Sequence, residues 1–309
     1  MAVTTKRSSK RRSKLLYQDD SSDASLGSLI QADGDPAMPT HIVQNIFAWI
    51  HPRTVLKYSR LSRSIYFAMN DPVFALLNLE RFVPITNTDS LQSLPDEFDS
   101  LWFRWPRIYQ KVYAAWRLYD RAKLDWRGAN TLRRKIPKAI GFLSNLTYLS
   151  LGSCRLIGEI PSQIGRMMSL EHLHLAWNNL SGPIPPEIGN LVHLKYLSLS
   201  DNNLDSNIPE EIGNLVSLQV LDLGNNRLGG HIPSTIGGLT QLQKMALQNN
   251  RLSGTIPLEI VHLVCLQEIN LYENGFERWL IPNSVASDSH LFHVLKGIGF
   301  YREGENHWR

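Results

Sequence analysis

The chain has 309 residues, with 32 Lys and Arg against 28 Asp and Glu for a formal charge of +4. Lys6, Arg7, Lys10, Arg11, Arg12 and Lys14 all lie near the start, which leaves 26 of the 32 bases against the 28 acids elsewhere, so the body is not a polyanion binder and no nucleic acid is expected on it. Only two cysteines, no secretory apolar segment and no run of about eighteen apolar residues argue against a disulfide-stapled fold and a membrane span.

Residues 1–35 are serine-rich and basic, with Asp19-Asp20-Ser21-Ser22-Asp23 behind the basic cluster, and read as a disordered tail. The cluster suits a nuclear-import signal or a solvated tail, with a mitochondrial presequence a distant third reading.

Residues 36–80 are expected to form a small all-α domain. Thr40 suits an N-cap, and Ile42, Val43, Ile46, Phe47 and Ile50 repeat on one helical face. Pro52 restarts the chain into a second helix with Val55, Leu56 and Leu61; Arg63, Tyr66 and Phe67 lie on a third. Asp71-Pro72 then breaks before the apolar run Phe74-Ala75-Leu76-Leu77-Asn78-Leu79. So few short helices bury too little surface to be robust alone, and the unit wants a partner.

That order of signals resembles an F-box: Met38-Pro39, Ile46-Phe47, Ile50-His51-Pro52, Val55-Leu56, Leu61-Ser62-Arg63-Ser64-Ile65 and Asp71-Pro72 follow the family pattern. Met38 stands where the pattern has Leu, Ile65 where it has an aromatic residue, and no acid stands two after Pro39. The resemblance implies docking on a Skp-type adaptor through Pro39, Ile42, Ile46, Phe47, Ile50 and Pro52. An ordinary helical cap is the other reading of the same stretch.

Residues 81–121 begin polar and turn-rich, as a linker or a degenerate coil, and end in an aromatic helix. Ile108, Val112, Trp116 and Tyr119 fall at helical spacing beside Trp102, Trp105, Tyr109 and Tyr113. Such a stripe is expected to plug the exposed end of the domain on its C-terminal side.

That domain, residues 122–286, is a repeat. Leu146, Leu170, Leu194, Leu218, Leu242 and Leu266 each open a copy of L-x-x-L-x-L-x-x-N-x-L-x-G-x-I-P-x-x-I-G-x-L. The fixed period predicts a solenoid of about seven coils, each adding one strand to a parallel sheet. Leu197 and Leu199 alternate with Tyr196, Ser198 and Ser200 as in a strand with one buried face. The ninth position, Cys154, Asn178, Asn202, Asn226, Asn250 and Asn274, is read as an inward ladder, because a carboxamide can satisfy backbone groups where each coil turns. The Ile-Pro pairs predict a thin, irregular, extended convex side. Cys154 and Cys265 stand four copies apart, about 20 Å at one strand spacing per coil, and cannot bridge. Residues 287–309, with Leu291, Phe292, Val294 and Leu295, should close the far end.

The G-x-I-P-x-x-I-G-x-L spacer resembles the plant-type class of leucine-rich repeats, known best from receptor-kinase ectodomains. It implies an α/β solenoid, a right-handed coil with a concave parallel β-sheet. Those extracellular domains usually close their ends with paired cysteines, so an intracellular location, cytoplasmic or nuclear, is expected. The sequons at Asn145 and Asn179 are the only hint against it.

Outward strand positions give the candidate target-binding face: Tyr148, His172, His174, Trp177, Tyr196, Asp201, Asp222, Lys244, Gln248, Tyr272 and Glu273. Trp177 amid His172, His174, Tyr148 and Tyr196 is the kind of cluster that anchors a protein interface, and a tolerated surface residue is the bland alternative. His172 and His174 share a strand face, yet their lateral neighbours are Tyr148, Tyr196, Ser150 and Ser198, so no third ligand completes a metal site. No phosphate loop or nucleophile elbow occurs, and no cofactor, metal or catalysis is expected. Together the resemblances imply a substrate-receptor subunit of a cullin-type ubiquitin ligase, monomeric apart from its complex, with a Skp-type adaptor and an unknown target protein as partners. A scaffold without a ubiquitin link is the rival, and a receptor-like ligand-binding domain the third reading.

Overall fold

The computed structural model describes residues 71–82, 97–129, 133–277, 281 and 285–297. The tail 1–35 and the adaptor-docking residues Pro39, Ile42, Ile46, Phe47, Ile50 and Pro52 lie outside the described residues. The first helices are α1, Pro72–Phe82, α2, Glu97–Trp102, and α3, Arg107–Tyr113. They fall in two units: α1 and α3 in one, α2 and everything after Asp120 in the other.

In the first unit Asp71-Pro72 starts a helix. The Asp71 carboxylate accepts the Val73 and Phe74 amides at 2.7 and 3.0 Å, and proline tolerates the first helical position because no amide is needed there. Phe74, Ala75, Asn78 and Leu79 form the buried stripe of α1. From α3, the Tyr109 hydroxyl donates to buried Asn78 at 3.5 Å, and burial raises the phenol far above its ordinary pKa of 10.0. The aromatic stripe differs from expectation. Buried Tyr109, Val112 and Tyr113 form it, with Trp105 edge-on to Tyr113 at 5.1 Å, while Ile108, Trp116 and Tyr119 are half-buried. A π-helical turn over Ala114–Leu118 widens the helix just where 3.6-residue spacing had been extrapolated.

In the second unit seven strands build one parallel sheet in chain order: β1 Lys123–Asp125, β2 Tyr148–Ser150, β3 His172–His174, β4 Tyr196–Ser198, β5 Val220–Asp222, β6 Lys244–Ala246 and β7 Glu268–Asn270. Tyr148 pairs with His172 and His172 with Tyr196, so register repeats every copy. Each strand turns its central residue inward: Leu124, Leu149, Leu173, Leu197, Leu221, Met245 and Ile269 are buried. At the leading end Trp102 and Phe103 meet Trp126 edge-on at 6.2 and 5.9 Å. Of the residues expected in the aromatic plug, Trp102 belongs to the sheet's unit, and Trp105, Ile108, Tyr109, Val112, Tyr113, Trp116 and Tyr119 belong to the other.

The far side is more regular than proline alone suggested. Each described Ile-Pro proline, from Pro137 to Pro257, has φ between −64 and −70° and leads into a five-residue 3-10 turn, as at Pro161 before Ser162–Arg166 and Pro185 before Pro186–Asn190. The turns stack so closely that a Cβ on Gly141, Gly165, Gly189, Gly213 or Gly237 would overlap residues of the next turn. Val261 occupies that position only in the last turn, Leu258–His262, after which no further 3-10 turn is present among the described residues. Between sheet and turns, Ile157–Gly158, Asn179–Gly182 and Asn203–Leu204 form a second short sheet, and Gly229–Gly230, Arg251–Gly254 and Gly275–Phe276 a third.

The trailing end carries α4, His290–Gly297, whose Leu291, Phe292 and Leu295 are buried. Val294, expected in the plug, is only half-buried and lines a groove instead. No described helix is long and apolar enough to cross a membrane.

Candidate functional site: the outward face of the parallel sheet

The asparagines hold the face in place. The Asn226 amide nitrogen donates to Leu199, Leu223 and Gly224 carbonyls at 3.0, 3.1 and 3.2 Å, and its oxygen accepts the Leu204 amide at 3.0 Å. Asn178 does the same for Leu151, Leu175 and Ala176, and accepts the amides of both Cys154 and Leu156. Asn202, Asn250 and Asn274 repeat the pattern. Each side chain thus joins two coils through backbone groups that would otherwise be unpaired. Asn178 and Asn202 are buried; Asn226, Asn250 and Asn274 are half-buried. At the leading end Cys154 donates its thiol to the Trp126 carbonyl at 2.9 Å, and burial raises its pKa to about 11.

One row on the outward face is aromatic. Lys123 lies over the Tyr148 ring at 4.5 Å, Tyr148 is 5.7 Å from His172, and Tyr196 lies 6.2 Å from His172 and 6.3 Å from His174, nearly parallel to the latter. The imidazole of His174 leans over Gly152, where an added Cβ would sit within 2.5 Å of Nδ1. That Nδ1 is buried without a hydrogen-bond partner, and desolvation, then the charge of Arg127, lowers the His174 pKa.

The adjacent row is small and polar: Asp125, Ser150, His174, Ser198 and Asp222 stand side by side across the strands. Arg127 grips Asp125 with Nε and Nη2, both at 2.9 Å. Asp222 accepts the Ser198 and Ser200 hydroxyls at 3.1 and 2.8 Å, so its carboxylate belongs to the floor of the face rather than standing free on it. Ser150 Oγ is buried and has no partner, so no base activates that hydroxyl although His174 is its lateral neighbour.

The eighth position holds the largest departure from expectation. Gly128, Ser153, Trp177, Asp201, Asn225, Asn249 and Glu273 all have φ between 55 and 74°. Glycine, asparagine and aspartate tolerate that left-handed conformation, whereas a tryptophan there is strained. Trp177 has φ 59° and is 65% exposed. Its ring is in no ring contact with Tyr148, His172, His174 or Tyr196, which stack with one another. The single expected cluster is therefore a stack with a separate indole on the turn just past the strand. Beyond it Asn249 donates to Asn225 at 3.1 Å and Asn225 to Asp201 at 2.9 Å.

Towards the trailing end Lys244 and Glu268 are ion-paired at 2.6 Å, Gln248 folds over Gly224, Tyr272 is 53% exposed and Glu273 is exposed. Of these, Lys244, Gln248, Glu268 and Tyr272 line an open groove of about 560 Å³, with His293 and Val294 of α4 among the rest of its walls. Sequence reading missed the part of His293 and Val294 here, because they lie outside the repeat, and it placed Ser198 beside His174 without its hydrogen bond to Asp222. No group of three His, Cys, Asp or Glu suited to a metal ion occurs among the described residues, and both cysteines are free.

A short inward ladder, a one-strand-per-coil sheet and a variable outward face together define a protein-interaction solenoid. Residues 178–286 match the family model of a leucine-rich repeat region, and 145–167 and 166–184 match leucine-rich repeat models. The chain carries leucine-rich repeats, and they form a protein-interaction module. No curated protein matches it. Among solved structures it is similar to the plant peptide hormone receptor RGFR1 in complex with RGF2, at 28% identity and a TM-score of 0.52, over 62% of this chain and 30% of that one. It is also similar to the PEPR1-AtPEP1 structure, at 37% identity and TM-score 0.47, over 50% of this chain and 22% of that one. A leucine-rich-repeat protein of Leptospira interrogans is 35% identical at TM-score 0.43, over 56% and 40%. The chain thus spans less than a third of the length of either of the first two.

Proposed function

We propose that the chain is a non-catalytic, intracellular substrate receptor: its repeats hold a target protein on the outward sheet face, and residues 36–80 tie that target to a Skp-type adaptor of a cullin-type ubiquitin ligase. The observation that carries the target-binding half is Trp177, a large aromatic side chain 65% exposed at a backbone position where it is strained. Exposed aromatic rings left mostly uncovered by their own fold are among the residues that dominate protein interfaces. The adaptor half rests on the order of Met38-Pro39, Ile46-Phe47, Pro52 and Asp71-Pro72 in the sequence. In this arrangement the protein contributes proximity and orientation, and transfer chemistry belongs to the enzyme recruited.

A second reading, a receptor-like ligand-binding domain, is favoured by the likeness to the plant peptide hormone receptor. Affinity purification of the full chain with a Skp-type adaptor separates the two. The first reading expects co-purification that Ile46→Ala with Phe47→Ala abolishes while the repeats stay folded. Failure of the wild-type chain to capture any adaptor leaves a binding module without a ubiquitin link.

A further inference from the structure

The outward face is electrically lopsided. On the last four coils it bears Asp201, Asp222, Glu268 and Glu273 against Lys244, four carboxylates to one ammonium, and Lys244 is already held by Glu268. The first three coils bear Lys123 and Arg127 with Asp125 as the facing acid, itself held by Arg127, and Lys195 of the next coil is held by Glu171. Arg227 and Arg251 lie further round the coil, the first hydrogen-bonded to Asn203, the second in the short strand Arg251–Gly254. At either end of the acidic stretch stands an apolar foothold: the Trp177 indole at one, and the groove beneath α4, walled by Tyr272 and Val294, at the other.

The footholds are three to four coils apart. At about 4.8 Å per coil they are separated by roughly 14–19 Å, which an extended chain at about 3.3 Å per residue crosses in about five residues. Between them the floor offers carboxylates and carboxamides: Asp201, Asn225, Asn249 and the Asp222 group.

We propose that this face takes an extended, basic segment of its protein partner that carries two large apolar side chains about five residues apart, one on Trp177 and one in the groove under α4. The inference rests on the reading of this face as the target-binding surface and adds the chemistry and spacing of what it binds. Lysine or arginine between the two anchors meets the acidic floor; an acidic linker is repelled. Nothing in the arrangement demands a particular backbone direction.

The test uses the full chain and fluorescein-labelled synthetic peptides read by anisotropy at low ionic strength. Each peptide has two leucines separated by a glycine-lysine linker that sets their spacing at about three, five or eight residues, with a matched glycine-glutamate linker for each. The five-residue basic peptide is expected to bind about tenfold tighter than the shorter and longer basic ones, and tighter still than its acidic counterpart. Trp177→Asn and Val294→Asp should each abolish the spacing preference, with Tyr272→Ser as a second groove variant should Val294→Asp unfold α4. Affinity independent of spacing, or an acidic peptide bound as tightly, overturns the two-anchor proposal even if Trp177→Asn still weakens binding. If neither Trp177→Asn nor the groove variants change any affinity, the outward face is not the target-binding surface and both readings fall.

Discussion

The left-handed position of Trp177 separates its cost in folding from its use in binding. Forcing an ordinary residue into that conformation costs roughly 1–2 kcal/mol, which asparagine largely escapes. The indole is 65% exposed, so about a third of it is covered. Taking about 250 Å² for a tryptophan and about 25 cal/mol per Å², the covered third contributes up to about 2 kcal/mol, and less against a compact unfolded chain. Trp177→Ala loses that contact and keeps most of the strain; Trp177→Asn loses the same contact but relieves the strain. The asparagine variant should therefore be more stable than the alanine variant by about 1 kcal/mol, or about 2–4 °C in Tm for an ordered region of this size. Differential scanning calorimetry measures the difference directly, and both variants should lose the target equally, because both lack the indole. Equal melting of the two would mean that the chain is not left-handed at this position. Retained target binding in either would mean that the exposed ring is not the anchor.

Asn226→Leu removes three donated and one accepted hydrogen bond between coils and should lower stability by about 1–3 kcal/mol, measured by urea unfolding, with Asn226→Asp at least as harmful because a carboxylate cannot donate to three carbonyls. Native protein should react quickly with a thiol reagent at half-exposed Cys265 and slowly at Cys154, whose buried thiol has a pKa of about 11; two fast equivalents would refute the packing of the leading coil. Gly152→Ala should displace the His174 imidazole and destabilise by about 1–3 kcal/mol, detectable as a shifted His174 ring resonance. His174 is held neutral below its ordinary pKa of 6.5, so the unfolded chain takes the proton first: stability should be full above pH 6.5, fall as pH drops from there towards the lowered native pKa, and fall less in His174→Gln.

The solenoid was legible because its rules are local and repeated. Leucine alternation sets one strand per copy, and the carboxamide at the ninth position has a single use wherever the chain turns away from the sheet, so Asn178 and Asn226 report the same geometry. The glycine four residues after each of the prolines from Pro137 to Pro233 also has one cause, the approach of the next 3-10 turn, and Val261 appears where that turn is missing. The short second and third sheets left no such trace: segments as brief as Asn203–Leu204 and Gly229–Gly230 have no periodicity to read. Nor does periodicity survive Ala114–Leu118, where a π turn shifts every later side chain on the aromatic helix.

The candidate face divides along the same line. Which residues point outward is set by alternation, and Tyr148, His172, His174 and Tyr196 are found in contact for that reason. How Trp177 stands relative to them depends on the sign of φ two residues beyond the alternating leucines, and alternation carries no information about that sign. The column itself does carry it. Asp201, Asn225 and Asn249, with Gly128 one coil earlier than the regular copies, are the residue types that a left-handed backbone selects. Beside them, Trp177 is the member of its column whose side chain least suits its backbone. Ser153 and Glu273 share that backbone without being of those types, so strain alone does not single out Trp177; strain together with its 65% exposure does. On the proposed function, the use of that combination is contact with a partner.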